Sequence, residues 1–249
     1  TSYLEWKDKN IQAKNYKIIY NGTEVKSNKR NNKSLTKENS FFSQSNLDEK
    51  KNKNVGNPKT LKIGFIGRIN PEKALDLLIL TLKNIAKEKP NFFFELDAYG
   101  QLGKNQFARQ IQANVEKLNS TYNLQINLKS IVSDLNEIYT DKDVIIFPSF
   151  KESFGRVLIE SWSYEKPVIC SDLEAFKEIH NIANIDLDLV FKTGDLDSMQ
   201  KKINYFLENR SLYESLEYKK KLSSAVQKNF STEIFIKKYH ELFQSILNH

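Results

Sequence analysis

With 249 residues, 38 Lys/Arg against 31 Asp/Glu and a single cysteine, the chain is long enough to bury a core without staples and cannot build an intramolecular disulfide framework. No apolar run approaches the roughly 20 residues of a spanning helix, residues 1–20 lack a signal-peptide layout, and no Cys/His run has zinc spacing. The formal charge of +7 does not make this a nucleic-acid binder: residues 26–60 hold nine Lys/Arg and three Asp/Glu, leaving the remainder at only +1.

The chain begins at Thr1 rather than Met, and its first residues read as the tail of a preceding unit, so residues 1–25 are expected to be the remnant of an amino-terminal domain and its connection. Residues 26–60, rich in Asn, Ser and Lys, are expected to form a flexible basic insert. From Leu61 the pattern turns regular. LKIGFIG (61–67) is a short apolar run ending in glycine, a buried strand leading into a loop. Leu75, Leu78, Leu82 and Ile85 recur at helical spacing, with Pro90 beyond the end. FFFELDAYG (92–100) is a second strand and residues 104–119 a second helix. LQINL (124–128), a helix over 133–139 with Ser133 as its N-cap, and DVIIFPS (143–149) follow. A helix over 154–164, PVIC (167–170) and LVF (189–191) complete an alternating pattern, and everything past Gly194 reads as amphipathic helix, the last stretch capped by Ser231.

Apolar strands without polar alternation, separated by amphipathic helices, predict an α/β fold: a Rossmann-like, doubly wound parallel sheet over 61–194, with carboxy-terminal helices over 195–249. Ligands of such sheets bind past the carboxyl ends of the strands. There, the first loop, GRINPEK (67–73), places Arg68 and Lys73 in front of a helix amino terminus. This set suits a diphosphate, because Arg forks two oxygens, Lys adds a point charge and the helix end offers free N–H groups. Solvated charges pairing with Glu72 are the alternative. Neither G-x-G-x-x-G nor G-x-x-x-x-G-K-[ST] is present, so no classical dinucleotide site or P-loop is expected.

The other loop is FPSFKESFGRVLIE (147–160), with Glu152 in the turn and Gly155 where a backbone could approach a ligand. On a helix drawn from Phe154, the stripe Phe154, Val157, Leu158, Ser161 and Trp162 faces the core and Glu160 lies roughly 130° from its centre. Two carboxylates at a sheet edge suit vicinal hydroxyls of a sugar; periodicity alone favours plain solvation of Glu160.

These loops resemble the carboxy-terminal, donor-binding domain of a family 4 retaining glycosyltransferase with the GT-B fold. The resemblance rests on G-R-x-x-x-x-K at 67–73, P-S-x-x-E-S-F-G-x-x-x-x-E at 148–160, K-P-V-I-C-S-D at 166–172, the carboxy-terminal F-S-T-E-I-F-I-K-K-Y, and Asn21-Gly22 at the end of the first unit; it covers about residues 61–249. It implies that Arg68 and Lys73 hold the donor's diphosphate and stabilise the leaving nucleotide. Glu152 would contact the donor sugar, the backbone at Ser153, Phe154 and Gly155 would complete the pocket, Glu160 would bind the ribose, and Ile131 and Val132 would flank the base. It further implies transfer with retention from a nucleotide sugar to a glycan or lipid-linked acceptor held by the amino-terminal half. No metal or other cofactor is expected. Bacterial surface polysaccharide synthesis is the expected setting, in the cytoplasm, with peripheral contact at the inner face of the membrane where the acceptor is lipid-linked. The sequence departs from the family at Ala74 and Ser153, where glycine is common, and before Glu178, where Gly-Gly is frequent. A GT-B enzyme of another reaction, such as a sugar-nucleotide epimerase or phosphorylase, and a non-catalytic scaffold are the competing readings.

Overall fold

The computed structural model describes residues 19–23, 59–103 and 105–247. The basic insert expected over 26–60 and most of the expected amino-terminal remnant lie outside the described residues, apart from Lys59 and Thr60, which open the first strand. The strands are β1 (Lys59–Ile66), β2 (Phe92–Tyr99), β3 (Leu124–Lys129), β4 (Val144–Phe147), β5 (Val168–Ser171) and β6 (Val190–Phe191). The helices are α1 (Leu75–Glu88), α2 (Gln106–Asn119), α3 (Leu135–Tyr139), α4 (Arg156–Ser163), α5 (Glu174–Ala183), α6 (Leu196–Glu208), α7 (Arg210–Tyr213), α8 (Leu216–Phe230) and α9 (Thr232–Leu247).

All six strands run parallel in the order β3-β2-β1-β4-β5-β6. Because successive side chains alternate across a strand, the unbroken apolar run of β4 feeds both faces: Val144 and Ile146 pack with α1, α2 and α6, while Ile145 and Phe147 pack with α3, α4, α5 and α8. The doubly wound sheet expected from the sequence is therefore present, with a core on each side. No described helix is long and apolar enough to cross a membrane.

Two local expectations need correction, and one helix was not expected. The side-chain cap of α3 is Asp134, which accepts from the Asn136 N–H at 2.8 Å, rather than Ser133. The helix drawn from Phe154 starts at Arg156, because Gly155 has φ +85° and breaks the helical path. And α5 goes beyond the sequence reading, which left its segment without an element: Phe176, Ile179, His180 and Ala183 make a buried stripe at helical spacing, but Leu173 ahead of it makes no side-chain cap bond. Ser231 does cap α9, its Oγ accepting from the Ile234 N–H at 3.3 Å.

One feature of the interior has no counterpart in the hydrophobic pattern. Asp97 on β2 is 1 % exposed, and its carboxylate accepts from Lys142 and Lys129, each at 2.7 Å, and from Asn127 at 2.8 Å. Burial opposes its charge, yet these donors hold the carboxyl below the ordinary aspartate value.

Candidate functional site

The chain runs from β1 outward to β2 and β3, then crosses back to place β4 on the other side of β1. The loops after β1 and β4 therefore diverge from adjacent strands, and the crevice between them is the topological switch point at which open α/β sheets bind ligands. Both predicted motifs lie there, on either side of the crevice.

The β1 loop is rigid for local reasons. Gly67 and Ile69 bond through their N–H groups to the carbonyls of Tyr99 and Gln101 on the neighbouring strand end. Asn70 then caps a 3-10 turn over Pro71–Lys73, its side chain accepting from the Lys73 N–H at 3.2 Å, and Pro71 fits the first position, where no N–H is needed. Ala74 follows in the left-handed region at φ 50°, ψ 40°, which accounts for the glycine common at this position in the resembling family.

Across the crevice, Lys73 Nζ meets Glu152 Oε2 at 2.6 Å and the Lys151 carbonyl at 3.5 Å. Both side chains of the pair are about four-fifths buried, at 18 % and 21 % exposure. The other oxygen of Glu152 accepts from the Ser153 N–H at 3.1 Å, and the Phe150 N–H donates to the Glu72 carbonyl at 2.8 Å. Lys73 thus pairs with Glu152 and not with Glu72, the partner of the alternative reading. Arg68 is exposed at the same mouth and, among the described residues, has no ion pair. A fixed ammonium and an adjacent open guanidinium can receive an anion, and the carboxylate beside them can accept from hydroxyls.

Beyond Glu152, Ser153 is exposed and Phe154 half-buried. Gly155 is required twice over: its φ is +85°, and a Cβ there would stand 2.8 Å from the Phe176 ring. Because α4 starts at Arg156, Glu160 sits one turn into the helix. It is also drawn inward, with 13 % side-chain exposure and Oε1 at 2.9 Å from Arg156 Nε. Burial raises its carboxyl above the ordinary glutamate value, opposed by the Arg156 charge. The nearby Tyr139 hydroxyl is buried without a hydrogen-bond partner of good geometry, and burial followed by the Glu160 charge raises its pKa. Plain solvation, favoured by periodicity for Glu160, is overturned by its burial beside α3.

The β3 loop divides its two candidates. Ile131, 64 % exposed, lines a cavity of about 520 Å³ with Ile69, Gly100, Gln101, Leu128 and Lys129 at the carboxyl ends of β1 to β3. Val132 packs instead against the core under α3 and α4. Two supports come from Ser171 and Asp172, strand-end residues of the K-P-V-I-C-S-D stretch to which the sequence assigns no role. The Ser171 hydroxyl donates to the Ser149 carbonyl at 2.6 Å, pinning the end of β4 from within, and Asp172 accepts from the Thr193 N–H and hydroxyl at 2.8 and 2.6 Å. Small polar residues after strands were the available signal for both.

Comparison with known proteins bears on what this crevice serves. The family model described as "Glycosyl transferases group 1" matches residues 46–223, well over half of the chain. The capsular polysaccharide biosynthesis glycosyltransferase CapM of Staphylococcus aureus is 26 % identical over 185 residues, covering 74 % of this chain and 46 % of that protein. The N,N'-diacetylbacillosaminyl-diphospho-undecaprenol alpha-1,3-N-acetylgalactosaminyltransferase of Campylobacter jejuni is 27 % identical over 135 residues, 54 % of this chain and 34 % of its own. The chain thus spans less than half the length of these curated relatives. Among solved structures, a glycosyltransferase of Rickettsia africae superposes with a TM-score of 0.64 at 21 % identity, over 76 % of this chain and 48 % of the other. HepE of Anabaena, solved with UDP and glucose, superposes at 0.61 and 16 % identity, over 75 % and 49 % of the two chains. The sheet with its flanking helices is of the GT-B type, and the chain belongs to the group 1 glycosyltransferases.

Proposed function

We propose that this chain is the donor-binding, carboxy-terminal half of a family 4 retaining glycosyltransferase. It would bind a nucleotide-diphosphate sugar in the crevice between the β1 and β4 loops and pass the sugar to a glycan or lipid-linked acceptor. The observation that carries this reading is the Lys73–Glu152 pair across the switch point, with Arg68 open beside it. Arg68 and Lys73 take the diphosphate and offset the charge that grows on the leaving nucleotide. Glu152 accepts from the sugar's hydroxyls, the Ser153–Gly155 backbone closes the pocket, and Glu160 accepts from the ribose. Ile131, which lines the β1–β3 cavity, flanks the base, and Val132, packed on the core, anchors the loop that presents it. The acceptor site would lie on the half that precedes Tyr20. The names of the relatives, one capsular and one acting on a diphospho-undecaprenol compound, support bacterial surface polysaccharide synthesis as the setting.

Titration calorimetry of the chain against UDP-, GDP-, ADP- and TDP-sugars tests this. One nucleotide is expected to bind, and Arg68→Ala to weaken it about tenfold or more, since a charge-assisted contact contributes about 1.5–3 kcal/mol. No binding to any of the four, or an unchanged affinity in Arg68→Ala, rejects the assignment.

A further inference from the structure

The loop that carries Glu152 is fixed at its start from the β1 loop, through Lys73 and the Glu72 carbonyl, while its end, at Phe154 and Gly155, is held by side-chain packing. Phe154 lies outside α4 and between two residues, Ser153 and Gly155, of which one is exposed and the other has a left-handed backbone. Phe154 packs on the core beneath α4 and α5, and one ring that covers it comes from far away in sequence. The Tyr20 ring stacks on it with centroids 6.1 Å apart and planes 21° apart. Tyr20 also meets Phe230 edge-on at 6.2 Å, lies beneath the Lys238 ammonium at 5.9 Å, and donates its hydroxyl to Glu178 Oε1 on α5 at 2.6 Å.

The segment around Tyr20 is itself seated. Thr23 donates to the Phe230 carbonyl at 2.8 Å and accepts from the Thr232 N–H at 3.1 Å, bridging the α8–α9 junction. Gly22 lies so close that a Cβ would stand 2.8 Å from the Thr232 Cα. The end of the loop is therefore held between α5, where Gly155 abuts Phe176, and Tyr20, whose hydroxyl is tied to the same helix.

We infer that Tyr20 is a positioning residue: its ring, stacked on Phe154, sets the loop from Glu152 to Gly155. The inference rests on the donor-site reading, since it assigns Tyr20 a part in that site's affinity. Loss of the ring frees Phe154 and lets the loop turn about Ser153 and Gly155. An aromatic stack of this kind corresponds to about 2- to 10-fold in an equilibrium constant.

The test is calorimetry of the whole chain with UDP, GDP, ADP and TDP, comparing Tyr20→Ala, Tyr20→Leu, Tyr20→Phe and wild type. Tyr20→Leu keeps apolar volume should the alanine variant not fold. Tyr20→Ala and Tyr20→Leu are expected to weaken nucleotide binding about 2- to 10-fold. Tyr20→Phe, which keeps the ring, restores it to within about twofold, a rescue that stability alone would not track if the melting temperatures of the phenylalanine and leucine variants coincide. Unchanged affinity in Tyr20→Leu, or a Tyr20→Phe variant as weak as Tyr20→Leu, overturns this inference alone. A wild-type chain that binds none of the four overturns the donor-site reading and this inference with it.

Discussion

Lys73 and Glu152 satisfy each other, so a diphosphate bound at Lys73 as proposed would compete with a carboxylate already there. Replacing Glu152 by Gln removes that competition while keeping the side chain's shape. One unit charge about 5 Å from another at an effective dielectric of about 20 costs roughly 3 kcal/mol. With about a fifth of each side chain in water and salt screening the remainder, we expect about 1 kcal/mol to be realised, or roughly fivefold in Kd. Glu152→Gln should therefore bind the bare nucleoside diphosphate about fivefold more tightly. The sugar nucleotide should gain little, because a neutral amide accepts from sugar hydroxyls about 1 kcal/mol less well than a carboxylate. Paired calorimetric titrations with the diphosphate and its glucose conjugate read both effects, and their ratio cancels any change in the amount of folded protein. If Glu152→Gln weakened both ligands equally, Glu152 would be a brace for Lys73 and not a sugar contact, and the competition described here would not exist.

Three further outcomes concern the buried aspartate, Glu160 and Ala74. Asp97→Ala leaves the buried Lys142 with only the half-exposed Asp141 as its carboxylate partner and should cost about 3 kcal/mol in urea unfolding, the low end for breaking a buried pair, with a loss below about 1 kcal/mol contradicting the buried network; in wild type this carboxylate's contribution is full above the ordinary aspartate value of 3.8 and is lost as pH falls through its lowered folded value. Glu160, raised above 4.5 by burial, contributes stability that is full below 4.5 and lost as pH rises through the raised value. Glu160→Gln should thus be slightly more stable near pH 7, while nucleotide binding in wild type weakens as acid protonates Glu160 and becomes flat over that range in the variant; a wild-type profile already flat would remove Glu160 from the ribose contact. Ala74→Gly relieves a left-handed alanine and should raise stability by about 0.5–1 kcal/mol, visible as a higher melting temperature; a lower one would mean that the buried methyl contributes more than the backbone strain costs.

The strand-end positions of the residues proposed to grip the donor were legible because they depend on local sequence. Arg68 and Lys73 stand after a strand and before a helix, and Glu152 stands after another strand, so each could be placed at the carboxyl edge of a parallel sheet from apolar periodicity alone. Position within the sheet was not legible. Nothing in the order of elements along the chain says that β4 crosses back to lie against β1, and it is that crossing which brings Lys73 to 2.6 Å from Glu152.

Glu160 shows the same divide at a smaller scale. Helical phase placed it off the core stripe, yet it is mostly buried, because α3 and the Tyr139 side chain cover a flank that an isolated helix would leave wet. Tyr20 marks the extreme: no short-range pattern ties it to Phe154, 134 positions later, and only packing at the α8–α9 junction carries it there. By itself the sequence determined the strands, the helices apart from α5 and which charged groups stand at strand ends, since these depend on neighbours within a turn or two. Strand order, the pairing of the charges and the seat of Tyr20 were decided by tertiary structure, since they depend on contacts between residues that chain connectivity leaves free to lie anywhere in the fold.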